Sequence, residues 1–185
     1  LQVTNVSAEV SQSPEIMMSE LSVAPSSLGL FKRKVLGRIH GVGLFQGELD
    51  LNVSGSSKIR ESDAYSAQLN YSGFNLKEAM KAAKGNLPVS PSGKGSLMAD
   101  VDFSPGMKSQ PEGDVTLQLQ GLQMPGFNLD LAAFGSLPVP GLNLEKIQLK
   151  GKLKNGKLQI NETVLGTPKD ELSGKISGDV DLRFM

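Results

Sequence analysis

One phrase recurs through this chain and constrains its fold more than any other feature: a glycine, then apolar and polar residues in alternation. The clearest copy is Gly113-Asp-Val-Thr-Leu-Gln-Leu-Gln-Gly121, where Val115, Leu117 and Leu119 alternate with polar neighbours. Successive side chains on a strand point to opposite faces, so a period of two builds a strand with one apolar and one solvated face. Further copies lie at Gly47-Glu-Leu-Asp-Leu-Asn-Val53, Gly95-Ser-Leu-Met-Ala-Asp-Val-Asp-Phe103, Gly156-Lys-Leu-Gln-Ile160 and Gly174-Lys-Ile-Ser-Gly-Asp-Val-Asp-Leu-Arg-Phe184. Most of the remaining residues serve to join these strands.

Taken in order, residues 1–10 and 16–24 read as strands, with Ile16-Met-Met18 breaking the alternation as a bulge does. Pro25-Ser-Ser-Leu-Gly29 reads as a turn, and residues 35–39 and 44–53 as a hairpin across Gly41-Val-Gly43. Tyr65, Ala67, Leu69 and Tyr71 share one face of the next strand. Residues 75–85 differ: Asn75 stands as an N-cap with Glu78 three residues on, Leu76, Ala79, Met80 and Ala83 make a helical stripe, and Gly85 suits the C-terminal left-handed position. This short helix is expected to plug one end or edge of the sheet. After a loop over 88–93, strands are expected at 95–103, 113–121, 144–153, 158–164 and 172–184. Asn155-Gly156 is the strongest hairpin signal. Residues 124–129 and 137–142 read as loops unusually rich in apolar residues.

Seven or eight such strands, roughly 4.8 Å apart and about 20 Å long, present an apolar face of several hundred Å2. Monomers rarely expose a contiguous patch beyond about 300–600 Å2, and one short helix cannot cover this one. The expected fold is therefore all-β, mainly antiparallel, with one short helix: a curled sheet, β-taco or half-barrel, or a sandwich. No shift in composition divides the 185 residues, so residues 1–185 read as a single domain.

Composition removes several functions. Lys plus Arg equals Asp plus Glu, at 19 each, and charges alternate along strands instead of clustering, which argues against a nucleic-acid partner. Aromatics make up 5% with no Trp, too few for base-stacking platforms. The absence of cysteine excludes a disulfide framework, a zinc knuckle and a thiol nucleophile. No apolar run approaches the roughly 20 residues that span a bilayer, so any anchor or targeting segment is expected before Leu1.

Chemistry-bearing candidates are few. His40 is the only histidine and lacks a nucleophile motif, so it reads as a hydrogen-bonded or solvent-facing strand residue. Asp100 with Asp102, and Asp179 with Asp181, lie two apart on the face opposite the apolar one, where carboxylates belong without a metal. Gly37, Gly41 and Gly43 do not open a helix, so no dinucleotide fingerprint exists. Lys32-Arg33-Lys34, behind Leu30-Phe31, is a local basic run that reads as exposed, with contact to anionic headgroups as the alternative. No catalytic constellation, metal site or cofactor is expected.

The segments Leu21-Ser-Val-Ala-Pro-Ser-Ser-Leu-Gly-Leu-Phe-Lys-Arg-Lys34 and Gly43-Leu-Phe-Gln-Gly-Glu-Leu-Asp-Leu51 resemble the type II secretion system protein N family in its periplasmic part. So does the C-terminal run over 137–160, followed by Asp170-Glu-Leu-Ser-Gly-Lys-Ile-Ser-Gly-Asp-Val-Asp-Leu182, which is similar to the family's closing hairpin. The resemblance implies a periplasmic domain in a Gram-negative bacterium, tethered to the inner membrane by a helix before Leu1. It also implies a non-enzymatic, structural role in the machinery that moves folded proteins across the outer membrane, with other secretion components as partners. Similar phrases occur in the AsmA and TamB group of envelope proteins, whose strands enclose an apolar groove for lipids.

Two readings follow. In the first, the domain is a scaffold that works through strand edges and through the loop Pro138, Val139, Pro140 and Leu142. In the second, Leu49, Leu51, Val53, Leu97, Val101, Leu117, Leu119, Ile176, Val180 and Leu182 line a lipid groove. The same residues would fill an ordinary closed core, which is the more economical arrangement. Interior space separates the two: a filled interior favours the scaffold, an open apolar trough favours lipid.

Overall fold

The computed structural model describes residues 2–8, 16–25, 34–56, 64–82, 89–104, 109–130, 135–170 and 172–182. The strands there are β1 (Gln2–Ala8), β2 (Ile16–Pro25), β3 (Lys34–Leu44), β4 (Gly47–Ser56), β5 (Tyr65–Asn75), β6 (Ser92–Phe103), β7 (Glu112–Met124), β8 (Phe127–Asp130), β9 (Ser136–Val139), β10 (Leu142–Lys154), β11 (Lys157–Leu165), β12 (Gly174–Lys175) and β13 (Gly178–Asp181). Between β5 and β6 lies the helix α1 (Leu76–Ala82). Eleven strands form one antiparallel sheet in the order β1-β2-β3-β4-β5-β6-β7-β10-β11, with β12 and β13 both paired to β11. The one other sheet among the described residues is the two-stranded β8–β9 ribbon, inserted between β7 and β10. The architecture is all-β with one short helix, a large sheet that curls without closing.

The pattern explains the meander. Consecutive strands pair as neighbours, β5 and β6 being joined through α1 and β7 and β10 through the ribbon. The curl has a local cause. Three register shifts fall towards one end of the sheet, beside Gly43, Gly73 and Gly121, whose φ values are 95°, 70° and 59°. A bulge adds one residue to one strand, bends it and increases its twist. At Gly43 the bulge lies against Ser19, whose hydroxyl donates to the Val42 carbonyl at 2.8 Å.

Several expectations are corrected. The β3–β4 turn is Phe45-Gln46, both at positive φ, and not Gly41-Val-Gly43, where β3 is still paired. Residues 16–18 pair with β1 in unbroken register, so no bulge stands there. The loops at 124–129 and 137–142 contain the arms of the ribbon. The last expected strand is two pieces: Asn161 is an extra residue in β11, and that bulge shifts the register with β10 and separates β12 from β13. Asn155-Gly156 does form its hairpin turn, with φ of 52° and 72°.

Asn75 caps α1, its side-chain oxygen accepting from the Lys77 and Glu78 backbone N–H groups at 3.0 and 3.4 Å. The Glu78 carboxylate accepts from Lys81 at 2.9 Å, while the Asn75 N–H donates to the Phe45 carbonyl at 2.8 Å. The cap therefore ties the helix start to the β3–β4 turn. Ala83 and Gly85 lie outside the described residues, as do Leu30-Phe31, Lys32-Arg33, most of the expected turn at 25–29, and Phe184.

The interior is sparsely filled. Among the described residues the buried apolar side chains are Phe74, Leu144 and Leu153 with Pro91, and no large side chain is fully buried.

Candidate functional site

Register places the alternating apolar residues in continuous rungs across the strands. One runs Leu21, Gly41, Leu49, Tyr71, Leu97, Leu117, Leu149 and Thr163 from β2 to β11. The next runs Val23, Ile39, Leu51, Leu69, Ala99, Val115, Gly151 and Ile160. A third runs Gly37, Val53, Ala67, Val101, Gly113, Leu153, Leu158 and Val180. Directly opposed residues share a face, so these rungs form one apolar surface. Eight strands at about 4.8 Å give it a span of roughly 34 Å.

Burial identifies this face as the inside of the curl. Leu49, Leu51, Val53, Leu97, Val101, Leu117 and Leu119 are all partly buried, while Asn52, Gln68, Met98 and Asp100 on the other face are exposed. His40, Asp50, Ser54, Ser66, Ser96, Thr116 and Gln118 of the other face are half-buried too, so the contrast is one of degree. The result is a trough of apolar side chains that are mostly covered yet short of fully buried. Thr163, on the first rung, is 4% exposed, and its hydroxyl has no hydrogen-bond partner within the described protein.

One end of the trough is floored by aromatics. Tyr71 and Phe74 stack with centroids 4.9 Å apart, and the Tyr71 hydroxyl donates to the Leu44 carbonyl at 2.6 Å. Burial pushes the Tyr71 hydroxyl up to about 12. Phe74 lies over Gly95, its cross-strand partner, where a Cβ would run into the ring. Gly47 likewise leaves room for the Tyr71 ring. Sequence reasoning left Phe74 unassigned because it follows the Gly73 bulge and breaks the alternation. The signal that could have found it is the glycine at 95, opposite a bulky residue.

Along the β7–β10 hairpin, apolar pairs recur on both sides of the polar pair Gln120–Lys146. Leu119 faces Ile147, Leu122 faces Leu144, and Met124 faces Leu142. Beyond Pro125-Gly126 and Pro140-Gly141 the same register resumes, with Phe127 facing Val139 and Leu129 facing Leu137. Proline has no N–H to give a ladder, so the ribbon separates from the sheet at this point. Leu129 and Leu137 are 42% and 51% exposed. Of the expected contact loop, Pro138 and Pro140 are exposed, Val139 and Leu142 half-buried. The terminal residues Ile176, Val180 and Leu182 are exposed along the sheet edge; Val180 continues the third rung, whereas Ile176 lies between β12 and β13.

The outer face carries the charged groups. Asp50 accepts from Arg38 Nη2 at 2.6 Å and Nε at 3.1 Å, and its Oδ1 lies 3.2 Å from His40 Nδ1. The Arg38 hydrogen bond holds the Asp50 carboxyl below its usual range, against the opposing effect of desolvation. His40, Glu48 and Asp50 bring ligand atoms within 4.8 Å of one another, but Arg38 already supplies the cation for Asp50. The cluster is an ion-pair network on a solvated face. Asp100, Asp102, Asp179 and Asp181 are exposed there too, with Asp100 accepting from Gln68 at 3.0 Å. Beyond β11, Asp170 accepts from the backbone N–H groups of Thr167 (2.5 Å) and Glu145 (3.2 Å), and the Thr167 bond leads the causes that keep its carboxyl below the usual range.

The chain matches no family model, no curated protein and no solved structure. Among the described residues no helix is long and apolar enough to cross a membrane.

Proposed function

We propose that this is a non-enzymatic binding protein of the cell envelope whose trough holds the acyl chains of a lipid. The observation that carries the reading is the apolar face from β2 to β11, partly covered and, among the described residues, unmatched by a second layer. Its span of roughly 34 Å compares with about 30 Å for the hydrocarbon core of a bilayer. A chain of about 16 carbons with half its surface covered would gain ~6 kcal/mol from burial, less the cost of association. The resemblance to AsmA-like envelope proteins supports the same class of ligand, and the periplasm, with an inner-membrane anchor before Leu1, as its setting.

A fluorescent fatty-acid analogue titrated into the purified chain tests this. Saturable binding that long-chain phospholipid displaces is the expected result. Leu117→Asp places a charge at mid-trough, where the open side still admits water, so it should abolish uptake while the far-UV spectrum is kept. Uptake unchanged by that substitution, or a chain unfolded by it, would contradict the open trough.

A second reading has its own support. Among the described residues β1 and the β12–β13 pair stand at the two edges of the unclosed sheet, and sheet edges template strand addition. With the resemblance of residues 137–160, this favours a scaffold contacting other type II secretion components. A photo-crosslinker at Ile176 that captures a secretion component in cells would support it; no capture there or at Pro138 would count against it.

A further inference from the structure

We propose that the β8–β9 ribbon enters a lipid surface and brings the trough to its source of acyl chains, an inference that rests on the lipid reading above. Four residues carry it. Phe127, Leu129, Leu137 and Val139 are directly opposed in two pairs, so all four lie on one face of the ribbon, with Asn128 and Pro138 on the other. Two-stranded ribbons are at best marginal in water and need a cover for their apolar face. Two of the four are 42% and 51% exposed.

The size of this patch argues for lipid over protein. The four described side chains, two of them half-buried, make a patch smaller than the ~800 Å2 that each partner in a stable protein interface commits. A lipid surface requires no matching partner shape. Continuity argues the same way, because the pairing register of β7 with β10 is kept through the Pro-Gly base into the ribbon, with apolar pairs on both sides of it. At the ribbon's base the two backbones pass close together. Pro125-Gly126 and Pro140-Gly141 face each other, and a Cβ on Gly126 would lie 3.0 Å from the Gly141 nitrogen. Near that base, Lys94 and Lys146 are exposed and flank Gln120 across the sheet, where they meet anionic headgroups.

The test uses the full chain and vesicles of phosphatidylcholine with phosphatidylglycerol. The chain has no tryptophan, so Leu137→Trp installs a single reporter. Its emission should shift to the blue on adding vesicles, and the parent chain should float with them. The double variant Leu129→Asp with Leu137→Asp should lose flotation by roughly tenfold or more, while its binding of the soluble fatty-acid analogue is unchanged. An unshifted tryptophan, or a double variant that floats like the parent and is released by salt, would overturn ribbon insertion and leave only lysine–headgroup attraction. Insertion of the ribbon by a parent chain that fails to bind the fatty-acid analogue would support the membrane contact and overturn the trough.

Discussion

Gly95 should be intolerant of even a methyl group, and the reason is Phe74. A Cβ at position 95 would overlap the Phe74 ring. That ring has little freedom to move aside: it stacks on Tyr71 at 4.9 Å, and Tyr71 is held by its bond to the Leu44 carbonyl at 2.6 Å. Overpacking of this kind costs about 1–3 kcal/mol. For a chain of this length each kcal/mol lowers Tm by about 2–4 °C, so Gly95→Ala should melt roughly 2–12 °C below the parent. Phe74→Ala alone should cost about 3–5 kcal/mol, because it empties a buried site. In the double variant the overlap no longer exists, and the two costs should fall short of their sum by about 1–3 kcal/mol. Urea denaturation of the parent, both single variants and the double variant measures that coupling. Additivity within about 0.5 kcal/mol, or a Gly95→Ala chain as stable as the parent, would refute the packing argument.

Asn155 holds φ of 52° in the β10–β11 turn, so Asn155→Val should cost about 1–2 kcal/mol and Asn155→Gly little, as thermal melts of the two would show. Asp170 and Asp50 have carboxyls held below the ordinary 3.8, the first by the Thr167 N–H and the second by Arg38. Depressed folded values mean that their stabilisation is present above the unfolded value and lost as pH falls through the folded one. Asp170→Asn and Asp50→Asn should therefore melt below the parent at pH 7, with the gap closing below about pH 3.8. A gap that persisted at pH 2 would assign the loss to shape instead of charge.

The sequence is most transparent where structure is local. Leu49, Leu51 and Val53 announce their shared face through alternation alone, and Asn155-Gly156 announces a turn because few other dipeptides accept two positive φ values. It is opaque where a choice depends on a neighbouring strand. Gly41 and Gly43 look like a turn, yet Gly43 is a bulge fitted to Ser19, and the turn falls on Phe45-Gln46, residues with no turn signature. The break at Ile176 is written one strand away, at Asn161. Pro138 and Pro140 argue for a loop, but residues 136–139 form one arm of a ribbon whose proline faces no ladder in the main sheet. Whether the sheet closes is the least legible property of all. It depends on twist summed over eleven strands, and the residues of an open trough are those of a closed core.

The open trough is the central claim, and native mass spectrometry of the purified chain tests it most directly. The account predicts a lipid mass riding on the 19.6 kDa chain, lost on mild organic extraction while the β-sheet spectrum persists and regained on incubation with membranes. A chain that stays at its bare mass before and after exposure to membranes would contradict it.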